Sequence, residues 1–519
     1  GSDPWGRASA LPGKATPLVA ALILSSVIHA LIHHMKRQPQ RQTAPPPEFL
    51  AKMRVLLPAG EFDAFLAAYD RPPIAGLRVN TLKIAPPDFT SLAPFSLAPL
   101  GDWEPAAFAV TGDSRPGRHP YHDAGLYYLQ DPSAMTAAAV LSPQPGELVL
   151  DLAAAPGGKA THLAARLAGG AGGGSPLRRA LDDDGLLVAN DVHAGRARLL
   201  ADNLARWGAI NTVVTQDEPE RLAAALGPVF DRVLIDAPCS GEAMFRRLGE
   251  IEWSADIVAA CARRQRGVLA VAPGLVRPGG RLLYATCAFS PEENEAVVAA
   301  FLAENRDFRL IAPPAIAAAD HGRPDWAGAA ADPAVAAGLA NALRLWPHHF
   351  PGEGHFLALM ARDDAAEAGE PPPFARRPPS PAQLRLWRDF AAATLTLDLP
   401  AERLHVHGER LYLLPRRAVA TGRLHLLRVG LALGEFRAGH FRPGHDLALA
   451  LSEGDARSVR WAADDPRLAA YLSGADLPAA ELPPGPDGWL LIAVDGFGLG
   501  WGKRAAGRLK NHYPRALRR

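Results

Sequence analysis

The chain has 519 residues, too many for a single hydrophobic core, so several domains are expected. Hydrophobic residues make up 48% and charged residues 21% of it, which is typical of a globular protein and argues against a fibrous or wholly disordered chain. Because the formal net charge is only +1, any contact with nucleic acid must depend on local basic patches.

The three cysteines, Cys239, Cys261 and Cys287, are too few for a disulfide framework, and their spacing matches no zinc-binding pattern. Such sparing use of cysteine is typical of a reducing compartment. We therefore expect a cytoplasmic protein without a metal site.

The first 47 residues are expected to be a disordered lead-in, an expression remnant or a misassigned start. The chain begins with Gly-Ser rather than Met, and Met35 is the candidate natural start. The apolar run Leu18–Ile32 is shorter than the about 20 residues that a membrane-spanning helix needs, and no small-residue cleavage site follows it. A membrane or export segment is therefore disfavoured, and no stable membrane association is expected.

A small α/β domain is predicted over residues 48–130. Apolar residues recur at helical spacing from Phe49 to Leu66, and the strand-like sequence GLRVNTL follows at 76–82.

Residues 131–362 show the strongest organisation, because apolar strand candidates alternate there with helical segments. The strands are predicted at 147–153, 185–191, 211–217, 231–238 and 280–287. This alternation predicts a doubly wound α/β fold, with a parallel sheet covered on both faces. The strands end in polar or reactive residues, namely Asp151, Asp191, Asp217, Asp236 and Cys287. Because ligands bind outside the carboxyl ends of such strands, these residues predict one shared crevice.

A glycine-rich turn, DLAAAPGGKAT at 151–161, follows the first of these strands. Gly157 and Gly158 allow a bound ligand to approach the backbone closely. The turn is neither a Walker A loop nor GxGxxG, which disfavours a phosphate-binding loop and a dinucleotide-dependent oxidoreductase.

Two aspartates complete a predicted adenosine pocket. Asp191 is placed to accept hydrogen bonds from ribose hydroxyls, although an insertion at 169–185 puts it further from the turn than the usual about 20 residues. Asp217 is placed to bind the adenine amino group. An isolated aspartate at either position is as easily explained as a helix N-cap.

Two motifs, DAPCSGEAMFRR at 236–247 and YATCAFSPEENE at 284–295, each place a cysteine just past a strand end. We expect a helix N-terminus, Lys159 or Arg246 to lower the pKa of Cys239 and Cys287 and so favour the thiolate. Cys261 lies inside a helical pattern and is predicted to be inert.

Residues 363–383 are rich in proline and acidic residues and are predicted to be a linker, followed by a small α+β domain at 384–445. The last unit, 446–519, ends in a segment with seven Lys or Arg residues and no acid. Phe497, Trp501 and Tyr513 lie among these cations and are candidates to stack on bases. A solvated basic tail is the alternative interpretation.

Taken together, these motifs resemble the RNA 5-methylcytosine methyltransferases of the Sun/Fmu/NOL1-NOP2 type. The resemblance covers nearly everything after about Glu48 and includes GLYYLQDPSA (125–134), DLAAAPGGKA, DAPCSG, PGGRLLYATC and PEENE. The sequences LRVGLALGEF, PGHDLALAL and DGFGLGWGKR resemble the C-terminal part of the RsmF branch. The resemblance implies a Rossmann-like catalytic core flanked by an N-terminal RNA-binding domain and a C-terminal PUA-like RNA-binding region.

It also implies S-adenosylmethionine as cofactor and carbon 5 of a cytosine in RNA as methyl acceptor, in this branch within 16S rRNA of the small ribosomal subunit. Cys287 is then the nucleophile that adds to carbon 6, and Cys239 resolves the covalent adduct. Asp236 holds the base, with support from Lys159. The predicted cofactor contacts are Ala153, Ala154, Ala155, Pro156, Gly157, Gly158, Lys159, Asp191, Arg196, Asp217 and Asp236.

Several alternatives stay open. The same chemistry could act on tRNA or another rRNA site, and a non-catalytic RNA-binding assembly factor would be expected to lack Cys287 or the glycine-rich turn. An amino-directed methyltransferase is disfavoured because the loop at 236 reads DAPC. Ala160, Ala243 and Ala288 depart from the family pattern without removing a reacting group. We expect a monomer that binds RNA, with neither DNA nor a metal as partner.

Overall fold

A computed structural model describes most of the chain after residue 43. The described residues are 44–169, 174–248, 252–328, 332–364, 369, 371, 374–419 and 422–519. The expectations for residues 1–43, including the apolar run Leu18–Ile32, lie outside them. Within these ranges no helix has both the length and the apolar character needed to cross a membrane.

The helices and strands are numbered separately in chain order. The helices are α1 Pro47–Leu56, α2 Ala59–Ala68, α3 Pro86–Leu92, α4 Pro120–Asp123, α5 Pro132–Leu141, α6 Gly158–Leu167, α7 Pro176–Asp182, α8 Ala194–Trp207, α9 Pro219–Leu226, α10 Phe245–Leu248, α11 Ala255–Leu269, α12 Glu295–Glu304, α13 Pro333–Gly338, α14 Pro381–Thr394, α15 His445–Ala450 and α16 Pro466–Ser473. The strands are β1 Gly76–Val79, β2 Ser96–Pro99, β3 Ala107–Thr111, β4 Tyr127–Leu129, β5 Leu148–Asp151, β6 Leu186–Asn190, β7 Thr212–Thr215, β8 Phe230–Asp236, β9 Val276–Thr286, β10 Phe308–Leu310, β11 Asp320–His321, β12 Leu343–Leu345, β13 His355–Arg362, β14 Leu404–His407, β15 Arg410–Leu413, β16 Leu426–Val429, β17 Leu431–Arg437, β18 His440–Pro443, β19 Ser458–Trp461, β20 Leu477–Pro478, β21 Gly488–Val494, β22 Phe497–Ala505 and β23 Arg508–Asn511.

The central sheet confirms the predicted doubly wound α/β core. Strands β9, β8, β5, β6 and β7 lie side by side in that order and pair in parallel. The short strands β5, β6 and β7 are buried throughout, because helices cover both faces of the sheet. The apolar runs of the sequence therefore correspond to strands with no solvent-facing side.

Antiparallel strands extend this sheet at both edges. Next to β9 come β13, β12 and β11, and β10 also pairs with β13. At the other edge β16 pairs with β7, with Leu426 opposite Thr215 and Val429 opposite Val213. Strand β16 comes from the segment for which we expected a small separate domain, so part of that segment completes the catalytic sheet.

The N-terminal sheet, in the order β2-β3-β1-β4, is antiparallel, and the motif GLRVNTL supplies its strand β1. Arg78 of β1 is buried and donates from Nη2 to the carbonyl of Gly158 and to the hydroxyl of Thr161, both at 2.8 Å. Asn80 donates from Nδ2 to the carbonyl of Trp207 at 2.7 Å. This domain is thereby attached to the start of α6 and the end of α8.

The C-terminal region contains two more sheets, β14-β15-β17-β18 and β19-β21-β22-β23-β20. The second sheet shares one hydrophobic core with the N-terminal domain, in which Leu77 and Phe89 belong to the same cluster as Tyr471 and Ile492. The N-terminal sheet and the last C-terminal sheet therefore pack together as one body.

The prediction that Trp501 and Tyr513 stack on bases is wrong. They are 2% and 3% exposed and lie in the core. Trp501 also donates from Nε1 to the carbonyl of Gly444 at 2.8 Å. The glycines around Trp501 belong to strand β22, which packs against neighbouring aromatic rings. A side chain would not fit there, since a Cβ on Gly500 would lie 2.4 Å from the hydroxyl of Tyr471.

Candidate active site

The two cysteine loops meet at the carboxyl ends of the central strands. Strands β8 and β9 are parallel neighbours with Asp236 opposite Ala285, so the residues that follow them emerge side by side. The Sγ atoms of Cys239 and Cys287 lie 3.1 Å apart. Both cysteines are partly buried. The structure thus joins two motifs that are 48 residues apart in sequence.

The environment of Cys239 differs from the expectation. The contact with Cys287, followed by burial, raises the pKa of the Cys239 thiol well above its usual range. Arg246 does not contact either sulfur, because its guanidinium donates to Glu353 Oε2 at 2.7 Å and to the carbonyl of Ala68 at 2.8 Å. The prediction that neighbouring cations lower the pKa of Cys239 is therefore wrong.

Lys159 and Asp236 form an ion pair beside the cysteines. Lys159 Nζ donates to Asp236 Oδ2 at 2.7 Å, and about a third of the Asp236 side chain stays exposed to the crevice. Burial lowers the pKa of Lys159, but Asp236 and then Cys287 outweigh that effect and raise it. The ammonium therefore stays protonated and pairs with the Asp236 carboxylate.

His355, at the start of β13, is a site residue that the sequence analysis missed. Its Nε2 lies 3.4 Å from Lys159 Nζ, and its Nδ1 lies 2.9 Å from Ser133 Oγ. The Ser133 hydroxyl donates to Asp131, so it accepts from His355 Nδ1, and Nε2 is left as an acceptor for Lys159. Burial, and then the charge of Lys159, lowers the pKa of His355 to about 4.

No sequence signal marks His355. It lies after a Gly-Glu-Gly turn at the start of an apolar strand, where a histidine is usually an ordinary core residue. Ser133 does lie within the family motif GLYYLQDPSA, yet only the fold brings it to His355, 222 residues later.

The glycine-rich turn lies on the other side of Lys159 and leads into α6. Gly157 has φ 112°, in the left-handed region that favours glycine, and a Cβ there would meet Leu200 at 3.3 Å. Ala154 and Ala155 are buried, Ala153 and Gly158 are half-buried, and Pro156 is exposed. These small residues line a shallow turn with no bulky side chain of its own.

Two acids face this turn. Asp191 accepts from the backbone of His193 at 2.9 Å and pairs with Arg196 at 3.2 Å, and Arg196 also donates to the carbonyl of Ala155 at 2.9 Å. Asp151 is fully buried, and among the residues that the structure describes no side chain donates a hydrogen bond to its carboxyl, which only the backbone N–H of Ala153 approaches. Burial, and then Asp236, raises its pKa well above the usual range. A buried carboxyl with acceptor capacity left over is suited to a ligand with hydrogen-bond donors.

Asp217 is already engaged by the C-terminal region. Its Oδ2 accepts from the backbone N–H of His425 at 2.6 Å, just before β16, and its Oδ1 lies 3.0 Å from Arg221. An adenine amino group would have to share this carboxylate with His425 and Arg221.

Cys261 lies in α11 and is not part of either cysteine loop. Burial raises the pKa of its thiol to about 12. Among the described residues, no three His, Cys, Asp or Glu side chains are grouped as metal ligands.

Four family models match the chain and divide it between them. "16S rRNA methyltransferase RsmB/F" matches residues 138–361, and "N-terminal domain of 16S rRNA methyltransferase RsmF" matches 46–132. "RsmF rRNA methyltransferase first C-terminal domain" matches 389–451, and "Methyltransferase RsmF PUA domain" matches 459–519. The last match confirms the PUA-like C-terminal unit.

Two curated relatives are similar over nearly their whole length. Ribosomal RNA small subunit methyltransferase F of Klebsiella pneumoniae is 33% identical, over 91% of this chain and 96% of its own. The Enterobacter protein of the same name is also 33% identical, over 91% and 95%. A solved methyltransferase homologue from Pyrococcus horikoshii superposes with a TM-score of 0.50 at 27% identity, over 65% of this chain and 99% of its own.

Proposed function

This chain belongs to the RsmF family of 16S rRNA methyltransferases, and we propose that it methylates carbon 5 of a cytosine in 16S rRNA through covalent catalysis by Cys287. It is an S-adenosylmethionine-dependent RNA methyltransferase. The main support for the finer proposal is the pair of sulfurs 3.1 Å apart, beside the Lys159–Asp236 ion pair.

A thiol is suited to this reaction because carbon 5 of cytosine is a weak nucleophile. When the Cys287 thiolate adds to carbon 6, an S–C6 bond forms and the electrons of the C5–C6 double bond become available at carbon 5. S-adenosylmethionine, when bound, supplies an electrophilic methyl group that carbon 5 accepts. A water molecule takes the proton from carbon 5, the electrons of that C–H bond reform the C5–C6 double bond, and the electrons of the S–C6 bond return to sulfur, which releases Cys287 as a thiolate.

The neighbouring residues have distinct roles in this proposal. Asp236, partly exposed to the crevice, binds the ring nitrogen or exocyclic amine of cytosine, and Lys159 fixes the Asp236 carboxylate. Cys239 keeps its proton in the resting enzyme and assists the release of Cys287 from the adduct. His355 holds Lys159 from the side opposite Asp236.

The cofactor would be held by the turn from Ala153 to Gly158 and by Asp191 and Arg196. Asp217 would also contact it, with a carboxylate that already accepts a hydrogen bond from His425. Asp151, beneath this turn, has no side-chain hydrogen-bond partner among the described residues and so has acceptor capacity left for a ligand. The small residues of the turn leave the backbone open to such a ligand.

The target cytosine must be unpaired or flipped, because a stacked base hides carbon 6 from a thiolate. Arg508 and Lys510 on β23 are exposed and can neutralise RNA phosphates. We expect them, rather than the buried rings of the same segment, to contribute to RNA binding.

The test replaces each cysteine in turn. We expect Cys287→Ala to abolish methylation, since no adduct can form, and Cys239→Ala to accumulate a covalent RNA–protein adduct visible as a retarded band in denaturing gels. Cys261→Ala is the matched control and should retain activity. Bisulfite sequencing of 16S rRNA from a deletion strain locates the modified cytosine. Methylation by Cys287→Ala would refute the proposal.

A further inference from the structure

Each cysteine loop contains a buried glutamate that contacts the other loop. Glu242 follows Cys239 by three residues, and Glu293 follows Cys287 by six. Both side chains are 0% exposed. Buried carboxylates are unfavourable unless their oxygens are well hydrogen-bonded, so their partners indicate what they stabilise.

The partners of Glu242 lie in the Cys287 loop. Its Oε2 accepts from the backbone N–H groups of Phe289 at 2.6 Å and Ser290 at 2.8 Å, and its Oε1 accepts from the Ser290 hydroxyl at 2.5 Å. Trp253 Nε1 donates to the same Oε1 at 2.9 Å. The carboxylate thus binds the backbone two and three residues after the nucleophile.

The partners of Glu293 lie on both sides of Cys239. Its Oε2 accepts from the backbone of Ser240 at 2.9 Å, and the Ser240 hydroxyl donates to its Oε1. Gln265 Nε2 donates to Glu293 Oε2 at 2.7 Å and also to the carbonyl of Pro238 at 3.0 Å. Glu293 and Gln265 together hold the residues immediately before and after Cys239.

The two loops also meet elsewhere: the Sγ atoms of Cys239 and Cys287 lie 3.1 Å apart, and Ala243, Phe245 and Phe289 share one apolar cluster. The cysteines follow the last paired residues of β8 and β9, and the backbone bond that joins the loops runs from Ala243 N to Cys287 O at 3.0 Å. Hydrogen bonds to an ionised carboxylate are about twice as strong as neutral ones. Burial, followed by the charge of Glu242, raises the pKa of Glu293 to about 7, so the contacts of Glu293 are strongest above that pH.

We propose that Glu242 and Glu293 are positioning residues that act crosswise, with Glu242 orienting Cys287 and Glu293 orienting Cys239. This inference rests on the proposed function, in which the two thiols perform successive steps. Each glutamate thus positions the cysteine of the other motif. Sequence proximity alone would instead link Glu242 with Cys239 and Glu293 with Cys287.

The kinetic consequence is a crossed pattern. Loss of Glu242 displaces the nucleophile, so it slows adduct formation. Loss of Glu293 displaces the resolving thiol, so it slows adduct release. A misplacement of about 1 Å changes such steps by roughly 100-fold.

The test measures the two steps separately, using 16S rRNA fragments, S-adenosylmethionine and denaturing gels. Adduct formation is timed in the Cys239→Ala background, with and without Glu242→Ala or Glu293→Ala. Adduct release is judged from the adduct level in otherwise unmodified enzyme. We expect Glu242→Ala to slow trapping by roughly 10- to 100-fold and Glu293→Ala to raise the standing adduct towards the level of Cys239→Ala.

Glu292→Ala is the matched control, since Glu292 adjoins Glu293 but is exposed and pairs with Lys52. Glu242→Gln and Glu293→Gln keep an acceptor oxygen and should restore part of each step. The opposite assignment of the two effects, or an equal loss of both steps in both variants, would overturn the inference. If Cys239→Ala itself traps no adduct, the proposed function fails instead.

A second measurement needs no RNA and covers a variant that folds poorly. A thermal unfolding curve first gives the fraction of each variant that is folded. The folded protein is then alkylated with iodoacetamide, and mass spectrometry gives the alkylation rate of each of the two thiols. We expect Glu293→Ala to change the alkylation rate of Cys239 several-fold more than that of Cys287, and Glu242→Ala to do the reverse. Equal changes at both thiols would contradict the crosswise arrangement.

Discussion

The Lys159 ammonium lies between an acid and a neutral imidazole. Lys159 donates one hydrogen bond to Asp236 and a second to His355 Nε2. The Nε2 atom is free to accept because the proton of His355 is on Nδ1, which donates to Ser133. Removing the imidazole leaves Lys159 free to rotate away from Asp236. A residue that touches neither substrate nor cofactor is thereby expected to influence the rate of the reaction.

His355→Leu should lower kcat by roughly 10- to 100-fold, because Lys159 and Asp236 lose their fixed geometry, while the Kd for S-adenosylmethionine changes little. Steady-state methylation and calorimetric binding check this. His355→Gln offers an acceptor oxygen to Lys159 and should recover part of kcat. An unchanged kcat in His355→Leu would remove His355 from the site.

The same variant changes the response to acid. The pKa of His355 is about 4 in the folded protein and 6.5 when unperturbed, so between these values the unfolded chain binds a proton that the folded chain does not. Acidification from pH 6.5 to 4 therefore lowers the contribution of His355 to the free energy of unfolding of the wild type. The His355→Leu variant lacks this group and so loses nothing from it. The gap between their urea midpoints should narrow from pH 7.5 to pH 4.5, and a constant or widening gap would count against a buried neutral histidine.

At the scale of elements, strand β16 joins the C-terminal region to the catalytic sheet. It covers the otherwise open edge of β7, and Leu426 and Val429 enter the core beneath that sheet. His425, which precedes it, donates to Asp217 at the predicted adenine pocket. The central sheet is therefore incomplete without a segment that lies after the predicted linker.

Leu426→Ala should lower the free energy of unfolding by about 2–5 kcal/mol, because it leaves a cavity under the central sheet. Leu517→Ala, at a half-exposed position, is the control and should change it by no more than about 0.5 kcal/mol. Urea denaturation measures both. Equal effects of the two substitutions would indicate that β16 is only loosely attached.

Helices α1 and α2 of the N-terminal domain pack against the Cys287 loop. Phe49 and Phe65 are fully buried and belong to one cluster with Phe289 and Trp346, which includes Cys287 at its edge. The N-terminal domain thus packs against the Cys287 loop as well as the start of α6.

Across the whole molecule, the N- and C-terminal domains form one body. Their shared core is reinforced where the Tyr121 hydroxyl donates to Asp495 at 2.8 Å and where Arg519 pairs with Asp123. Any RNA bound by the PUA-like unit is therefore held in a fixed position relative to the catalytic crevice. Because the net charge is near neutral, RNA contacts depend on local basic patches rather than on the charge of the whole molecule.

Replacing Arg508 and Lys510 together by Gln should weaken RNA binding and reduce the slope of log affinity against log salt by about two, one for each lost phosphate contact. Filter binding between about 50 and 200 mM salt measures this slope. The control replaces Arg306 and Arg309, two exposed arginines of the catalytic region, in the same way. An unchanged slope in the first variant would place the RNA elsewhere.

The sequence by itself was sufficient for the five parallel strands, the glycine-rich turn after β5, and the meeting of Cys239 and Cys287 with Asp236 at one edge of the sheet. These features follow from local patterns, because apolar runs define the strands and parallel strands bring their carboxyl ends together. Only the tertiary structure showed that Arg246 contacts Glu353 rather than a sulfur, that His355 holds Lys159, and that β16 completes the sheet. It also decided that Trp501 and Tyr513 are buried. Each of these outcomes depends on contacts between residues far apart in the chain. Periodicity and spacing describe local structure and do not specify which distant residue a side chain contacts.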